Sequence, residues 1–327
     1  MSHDGMDRRE FLVRTGKVAA GLAVAGGLGY ALHDPSGPDP GRNRGALLSY
    51  PDFSLADDGP SLSIVTGAER KATLARAITA LGGIERFVKP GDRVLLKVNA
   101  GFSRPPEIGA TTHPDVVRTL ATLCQKAGAE VLVTDHPVSD PIGTFEVSGI
   151  GAAAREAGAG LVLPLDDQFA PVSLKGGELI RDWPMLIGPF DGVTKLIGVA
   201  TVKSHSASGA TMIMKNWYGL LGGQRIVFHQ HIQKIIAELA TLVRPTLCVL
   251  DGTTTMMNNG PTGGSLSDLA ATNTMIVGTD QVAVDVVGSS LLRKQVADLP
   301  YLKMAEAAGV GSTDVESLRP RRDHVEG

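Results

Sequence analysis

The chain has 327 residues, a net charge of -3 and 43% hydrophobic residues, enough for one large α/β domain or two smaller ones. Forty glycines against 4% aromatics favour a loop-rich α/β protein over a β-sandwich, and the absence of a basic tract argues against a nucleic-acid partner. Two cysteines, Cys124 and Cys248, fall short of the four that a chain-held iron–sulfur cluster needs, so no such cluster is expected and both read as small buried hydrophobes.

At the N-terminus, Arg8-Arg9 precedes Phe11-Leu12 and a weakly apolar, glycine-broken segment over 18–32. This order resembles a twin-arginine export signal. Residues 1–32 are therefore expected to engage the twin-arginine export machinery and send the protein to the periplasm or otherwise out of the cytoplasm. The apolar segment, about 15 residues, is short for a membrane span. No good cleavage site follows it, so membrane contact is expected only here, as an N-terminal anchor if the segment stays uncleaved. Residues 33–60 are rich in Pro, Gly and Asp and read as a linker. The folded domain is expected over 61–295, with 296–327 as a peripheral C-terminal helix and tail.

Within the domain, 61–67 reads as a strand. Leu74, Ala77, Ile78 and Leu81 have helical spacing, and Gly82-Gly83 ends that helix. A strand over 93–99 leads through a polar loop to Thr112-His113-Pro114-Asp115, a strong helix start. That helix runs to Gly128, and a strand over 130–134 follows. Residues 141–158 read as helix with glycine interruptions, and 160–190 as a small irregular β-rich insertion. A strand over 195–202 feeds a small-residue loop at 206–211 and then a stretch with helical character. A helix over 227–243 ends before Pro245. A strand over 246–250 precedes the Asn- and Gly-rich loop 258–264. A strand over 274–277 and a helix over 281–292 complete the domain, with Asp280 as helix cap or site residue. Alternating strands and helices predict an α/β fold with a mostly parallel sheet flanked by helices.

Such sheets bind ligands outside the carboxyl ends of their strands. Those ends carry Lys97 and Asn99, Asp135 and His136, Lys203 and His205, and Asp251. Lys97, Lys203 and Lys215 point to an anionic small ligand, carboxylate or phosphate. Asn99 and Asn216 would orient it, and the backbone at Asn259 and Gly260 would cradle it. His113, His205, Lys215 and Asp285 are the candidates for catalytic chemistry. Asp285 lies among valines on an apolar helix; it either faces solvent or is buried and paired with Lys97, Lys203 or Lys215. The sequence does not name a cofactor. A divalent metal held by Asp135, His229 and Asp251 is a further expectation, although no HExxH motif supports it. There is no GxxxxGK[ST] spacing for a P-loop and no GxSxG elbow. Nothing in the sequence sets the oligomeric state.

The stretches VLLKVN with TTHPDVV, AEVLVTD, IGVATVKSHSASGATMIMKNWYGLLG, His229, VLDGTTTMMNNGPTGG and GTDQVAVDVVGSSLL occur in that order. Together they resemble the domain of unknown function 362 family across residues 61–295. The resemblance implies one α/β domain, a polar site built from the matching positions, and frequent export. The family's usual Glu before Asn-Gly-Pro is replaced here by Met257-Asn258, so no role is assigned to it. Relatives with ferredoxin-type cysteines differ from this chain, and iron–sulfur chemistry is not carried over. The expected function is an exported protein whose polar pocket binds an anionic small molecule or cofactor, with chemistry that a metal would assist. The alternative is a non-catalytic periplasmic ligand-binding or cofactor-maturation factor.

Overall fold

Alternate side chains of a strand face opposite sides of its sheet, and here both sides are apolar. The computed structural model describes residues 49–56 and 59–326; the expected export signal and the first part of the expected linker lie outside them. In chain order the elements are β1 (Leu62–Thr66), α1 (Arg70–Ala80), α2 (Ile84–Phe87), β2 (Arg93–Lys97), α3 (Pro114–Lys126), β3 (Glu130–Thr134), α4 (Pro141–Val147), α5 (Ile150–Glu156), β4 (Gly160–Leu161), β5 (Phe169–Val172) and β6 (Trp183–Leu186). They continue with β7 (Lys195–His205), β8 (Gly209–Thr211), α6 (Ile213–Asn216), α7 (Ile232–Leu242), β9 (Leu247–Met256), β10 (Leu269–Gly278), α8 (Gln281–Leu291), α9 (Pro300–Ala307) and β11 (Arg321–His324).

Nine strands form one sheet in the order β11-β1-β10-β9-β7-β2-β3-β4, with β8 folded back on β7. β9, β7, β2, β3 and β4 are parallel, while β10 runs antiparallel to both its neighbours. The expected mostly parallel α/β sheet is present, and β5–β6 form the small antiparallel sheet within 160–190. Val94, Leu96, Val199 and Val249 pack on one face with Leu74, Ile78 and Leu120 from α1 and α3. Leu95, Leu196, Leu250 and Ile276 pack on the other with Ile235, Leu239 and Val282 from α7 and α8. The free, buried Cys124 and Cys248 belong to these two different cores.

Three boundaries differ from the sequence reading. Tyr50 and Phe53, within the stretch read as linker, are buried, and the Tyr50 hydroxyl donates to the Leu186 carbonyl. Two aromatics among Pro and Gly are enough to dock an otherwise linker-like segment. The C-terminal segment is also more than a peripheral tail: α9 buries Tyr301, Leu302 and Ala305, and β11 pairs with β1 as an edge strand. Both β7 and β9 run past their expected ends, so Asp251 lies within a strand. Asp280 follows β10, the reversed strand, and caps α8 by accepting the Ala283 N–H.

Asp285 is fully buried on α8, but no lysine among the described residues pairs with it. Its carboxylate accepts the Ile213 and Met214 N–H groups, at 2.8 and 3.0 Å, at the start of α6. The sequence could not show that backbone N–H donors would stand where a lysine was expected. Burial pushes the Asp285 pKa up to about 7, opposed by those two hydrogen bonds. The folded-state value lies above that of an unfolded carboxyl, so the native state binds more protons between about pH 4 and 7. The stability contributed by this group therefore falls as pH rises through that window. Asp285→Asn removes the slope. Its destabilisation relative to wild type, measured by urea unfolding, should be largest near pH 4.5 and smaller near pH 7.5 by more than about 1 kcal/mol. A difference independent of pH contradicts this account.

Candidate functional site

The carboxyl ends of β2, β3 and β7, with the β7–β8 hairpin and the segment after α6, enclose a cavity of about 650 Å³. Asn99, Asp135, Lys203, His205, Thr211, Lys215, Asn216 and His229 line it. So do Phe102, His136, Tyr218 and Arg225.

Beneath the cavity Lys97 and Asp135 form a buried ion pair at 2.6 Å. Lys97 Nζ also donates to the Val98 carbonyl and to both oxygens of Asn216. Asp135 also accepts the N–H groups of Ala100 and His136, so its carboxylate is already engaged. Burial lowers the Lys97 pKa, and Asp135 opposes that shift. Asn216 bridges further: its amide donates to the carbonyls of Lys97 and Val199, and its oxygen accepts from Lys97 and Asn99. All of its hydrogen-bonding positions are filled, so Asn216 is a positioning residue with no group left for a ligand.

The other lysines stand differently. Lys203 Nζ donates to Asn99 Oδ1 (2.9 Å) and to the Ala110 carbonyl (2.5 Å) and lies 5.3 Å from the Phe102 ring centre. Among the described residues no carboxylate pairs with it. Its pKa is lowered to about 7, by burial first and then by Lys215, with Asp135 opposing. Lys215 has no hydrogen-bond partner among the described residues; its ammonium sits 5.1 Å from the Tyr218 ring centre. Burial and then Arg225 bring it to about 8. Arg225 donates to the carbonyls of His136, Pro137 and Leu221. The Thr211 hydroxyl is buried without a partner among the described residues.

Hydrogen bonds fix two of the cavity's three imidazoles, His205 and His229, in opposite tautomers. The Ala207 and Ser208 N–H groups donate to His205 Nδ1 at 3.0 and 3.3 Å, so the proton of the neutral ring sits on Nε2. Burial, then Lys215, Lys203 and His229, hold the His205 pKa at about 3. His229 Nδ1 lies 3.2 Å from the Ile226 carbonyl and 3.2 Å from the Tyr218 hydroxyl, whose own proton goes to the Arg225 carbonyl. Nδ1 is therefore the donor and Nε2 carries the lone pair. The ring centres are 6.4 Å apart.

The other expected site residues are elsewhere. His113 caps α3, and with Asp251 and Thr201 it lines a second, smaller cavity of about 200 Å³. Asp251 is paired there with Arg70 at 2.9 Å. Val249 and Asp251 share the face covered by α1, which carries Arg70, and the ion pair with Arg70 engages Asp251 there. Asp135, His229 and Asp251 are thus not gathered as one ligand set, and no group of three or more metal-ligating side chains occurs among the described residues. Asn259 donates to Asp268 and holds its own loop, and the Gly260 N–H donates to Ser204 Oγ. A Cβ on Gly260 would lie 1.9 Å from the Ser204 carbonyl oxygen. That close approach is the reason for glycine there, and it brings Pro261 to the cavity wall. Arg225 and Tyr218 were not among the expected residues. The Gly222-Gly223 pair just before Gln224-Arg225 is the one local sign that the backbone turns there to bring a side chain back.

Gly219 makes room for the ion pair: an added Cβ would fall 2.1 Å from Asp135 Oδ1 and 2.9 Å from Lys97 Nζ. Gly219→Ala should separate the pair and destabilise the fold by about 3–5 kcal/mol, the scale for breaking a buried ion pair. Urea unfolding midpoints read this directly, and a variant within about 0.5 kcal/mol of wild type contradicts it.

Residues 94–290 match the model of a family described as a domain of unknown function (DUF362). A thylakoid-associated protein of Synechocystis sp. is 29% identical over 262 residues, covering 76% of this chain and 78% of that protein. The structure of the lactate racemase apoprotein from Thermoanaerobacterium thermosaccharolyticum is similar with a TM-score of 0.45 at 10% identity. That similarity covers 74% of this chain and 58% of the racemase chain. The family match runs from β2 into α8 and takes in the strands and the hairpin that build the cavity, so the chain belongs to the domain of unknown function 362 family.

Proposed function

We propose that the larger cavity binds a small carboxylate- or phosphate-bearing molecule and moves a proton on it. The observation that carries this reading is an imbalance of charge. Lys203, Lys215 and Arg225 line one cavity whose only acidic lining residue among the described residues, Asp135, is already bound to Lys97. Buried cations without counter-charge are costly, and a bound anion offsets that cost. Lys215 and Arg225 hold the charge, and Thr211 offers a hydroxyl. His205 donates a hydrogen bond through Nε2, and His229 accepts a proton at Nε2. A carrier that only binds or delivers its ligand would use the same cations. The proton-moving reading is favoured by the donor and acceptor imidazoles facing one space. Arg8-Arg9 and the apolar segment after them support export by the twin-arginine route. The thylakoid-associated relative is in keeping with a protein that works near a membrane. No helix among the described residues is long and apolar enough to cross one.

Isothermal titration of the full chain with phosphate, acetate and pyruvate tests the reading. At least one anion should bind, and Lys215→Gln and Arg225→Gln should each weaken binding roughly tenfold or more. Binding should also fall as pH rises from about 7 to 9, because Lys203 and Lys215, with pKa values of about 7 and about 8, lose their protons there. Absence of binding, or affinity unchanged in both variants, overturns the reading.

A further inference from the structure

Lys203 has a geometry that anion binding alone does not require. Two of its three nitrogen positions are directed to Asn99 Oδ1 and the Ala110 carbonyl. No third partner exists among the described residues, and Lys203 lines the cavity. The side chain is fully buried, and Phe102 shields it on one side. A neutral amine held in this way keeps its two N–H bonds on fixed acceptors and leaves its lone pair as the free position. Asp135, the one carboxylate near enough to neutralise it as an ammonium, is engaged by Lys97. The neighbouring cation Lys215 disfavours the ammonium form further. Desolvation beside a second cation is the general way in which a lysine becomes a nucleophile.

We propose that Lys203 captures the carbonyl carbon of a small 2-oxo acid as an imine while Lys215 and Arg225 hold its carboxylate. This rests on the anion-binding reading of the same cavity. A 2-oxo acid fits because its electrophilic carbon is bonded directly to the anionic group that the neighbouring cations hold. The amine nitrogen attacks that carbon, and a C–N bond forms as the carbonyl π electrons move to oxygen. His205 Nε2–H hydrogen-bonds the oxygen as charge develops on it. His229 Nε2 carries protons from nitrogen to oxygen. Both amine protons leave with the carbonyl oxygen as water, and a C=N bond remains. No oxidant or reductant is consumed.

The test incubates the full chain with pyruvate, adds sodium borohydride and maps modified peptides by mass spectrometry, with calorimetry of pyruvate in parallel. The expected result is one carboxyethyl adduct per chain, on Lys203. Lactate, which has the charge but no carbonyl, should give none, and acetone, which has a carbonyl but no charge, should give roughly tenfold less. Lys203→Arg, shown to be folded by circular dichroism, should bind pyruvate without trapping it. The mapping on wild type stands by itself if that variant does not fold. Pyruvate that binds without an adduct, or an adduct on Lys215 instead, overturns the imine and leaves the anion reading in place. Pyruvate that neither binds nor is trapped overturns the imine, and the phosphate and acetate titrations then decide the anion reading.

Discussion

The buried pair of Lys97 and Asp135 is the constraint on which the cavity depends. It joins the ends of β2 and β3 at 2.6 Å and neutralises the only acid on the cavity wall among the described residues. Asn216 ties the pair to the end of α6, and Asn99 ties Asn216 to Lys203. Five side chains from three strand ends and a short helix thus form one hydrogen-bonded unit in a low-dielectric setting. Such a network is strong when every member is satisfied and costly when one is lost. Because Asp135 answers Lys97, the positive charge of Lys203, Lys215 and Arg225 remains uncompensated above it. The same pair that stabilises the floor gives the cavity its net charge.

Much of the fold was legible because local patterns and tertiary context agree. Helix α1 begins after Glu69, which caps it, and α3 begins at Pro114 after the His113 cap, where the Thr-His-Pro-Asp sequence places it. The parallel sheet follows from the alternation of short apolar strands with helices. Direction and reach were less visible. Nothing local marks β10 as the reversed strand, so Asp280 looked like a rim residue although its strand end faces away from the rim. The lengths of β7 and β9 are set by long-range pairing, to β8 and β10, and a reading of propensity stops them early.

The site divides along the same line. Lys203, His205, Lys215 and His229 meet in one cavity, and Lys97, Asn99 and Asn216 support them. His113 was expected with them as a candidate catalytic histidine at a helix start, and Asp251 because it follows a strand. Asp251 stands beside Thr201 in the second cavity, where Arg70 engages it, and only the pairing register reveals that neighbour. Asp285 illustrates a different limit. The valines around it left burial as one of two readings, and its partner is the backbone of α6, whose N–H donors no side-chain pattern marks. Arg225 was invisible for the converse reason: it lies in an irregular segment whose side-chain direction no periodicity encodes.

The tautomers of His205 and His229 carry the proton-transfer part of the proposal, beyond the positive charge of the cavity. Two backbone donors in the β7–β8 turn face His205 Nδ1, which closes that nitrogen to a proton and leaves an N–H aimed elsewhere. A backbone carbonyl faces His229 Nδ1 and produces the opposite state. Neither assignment depends on a ligand, because both follow from main-chain groups set by the fold. The remainder of the wall is different in kind. Phe102, Pro137, Val138 and Ile226 line it, and Val138 and Ile226 are strongly exposed. A volume of about 650 Å³ is far more than a carboxylate or phosphate occupies. A ligand that fits both parts would place its charge at the lysines and an apolar body against these side chains, so on the imine proposal a 2-oxo acid is its head group.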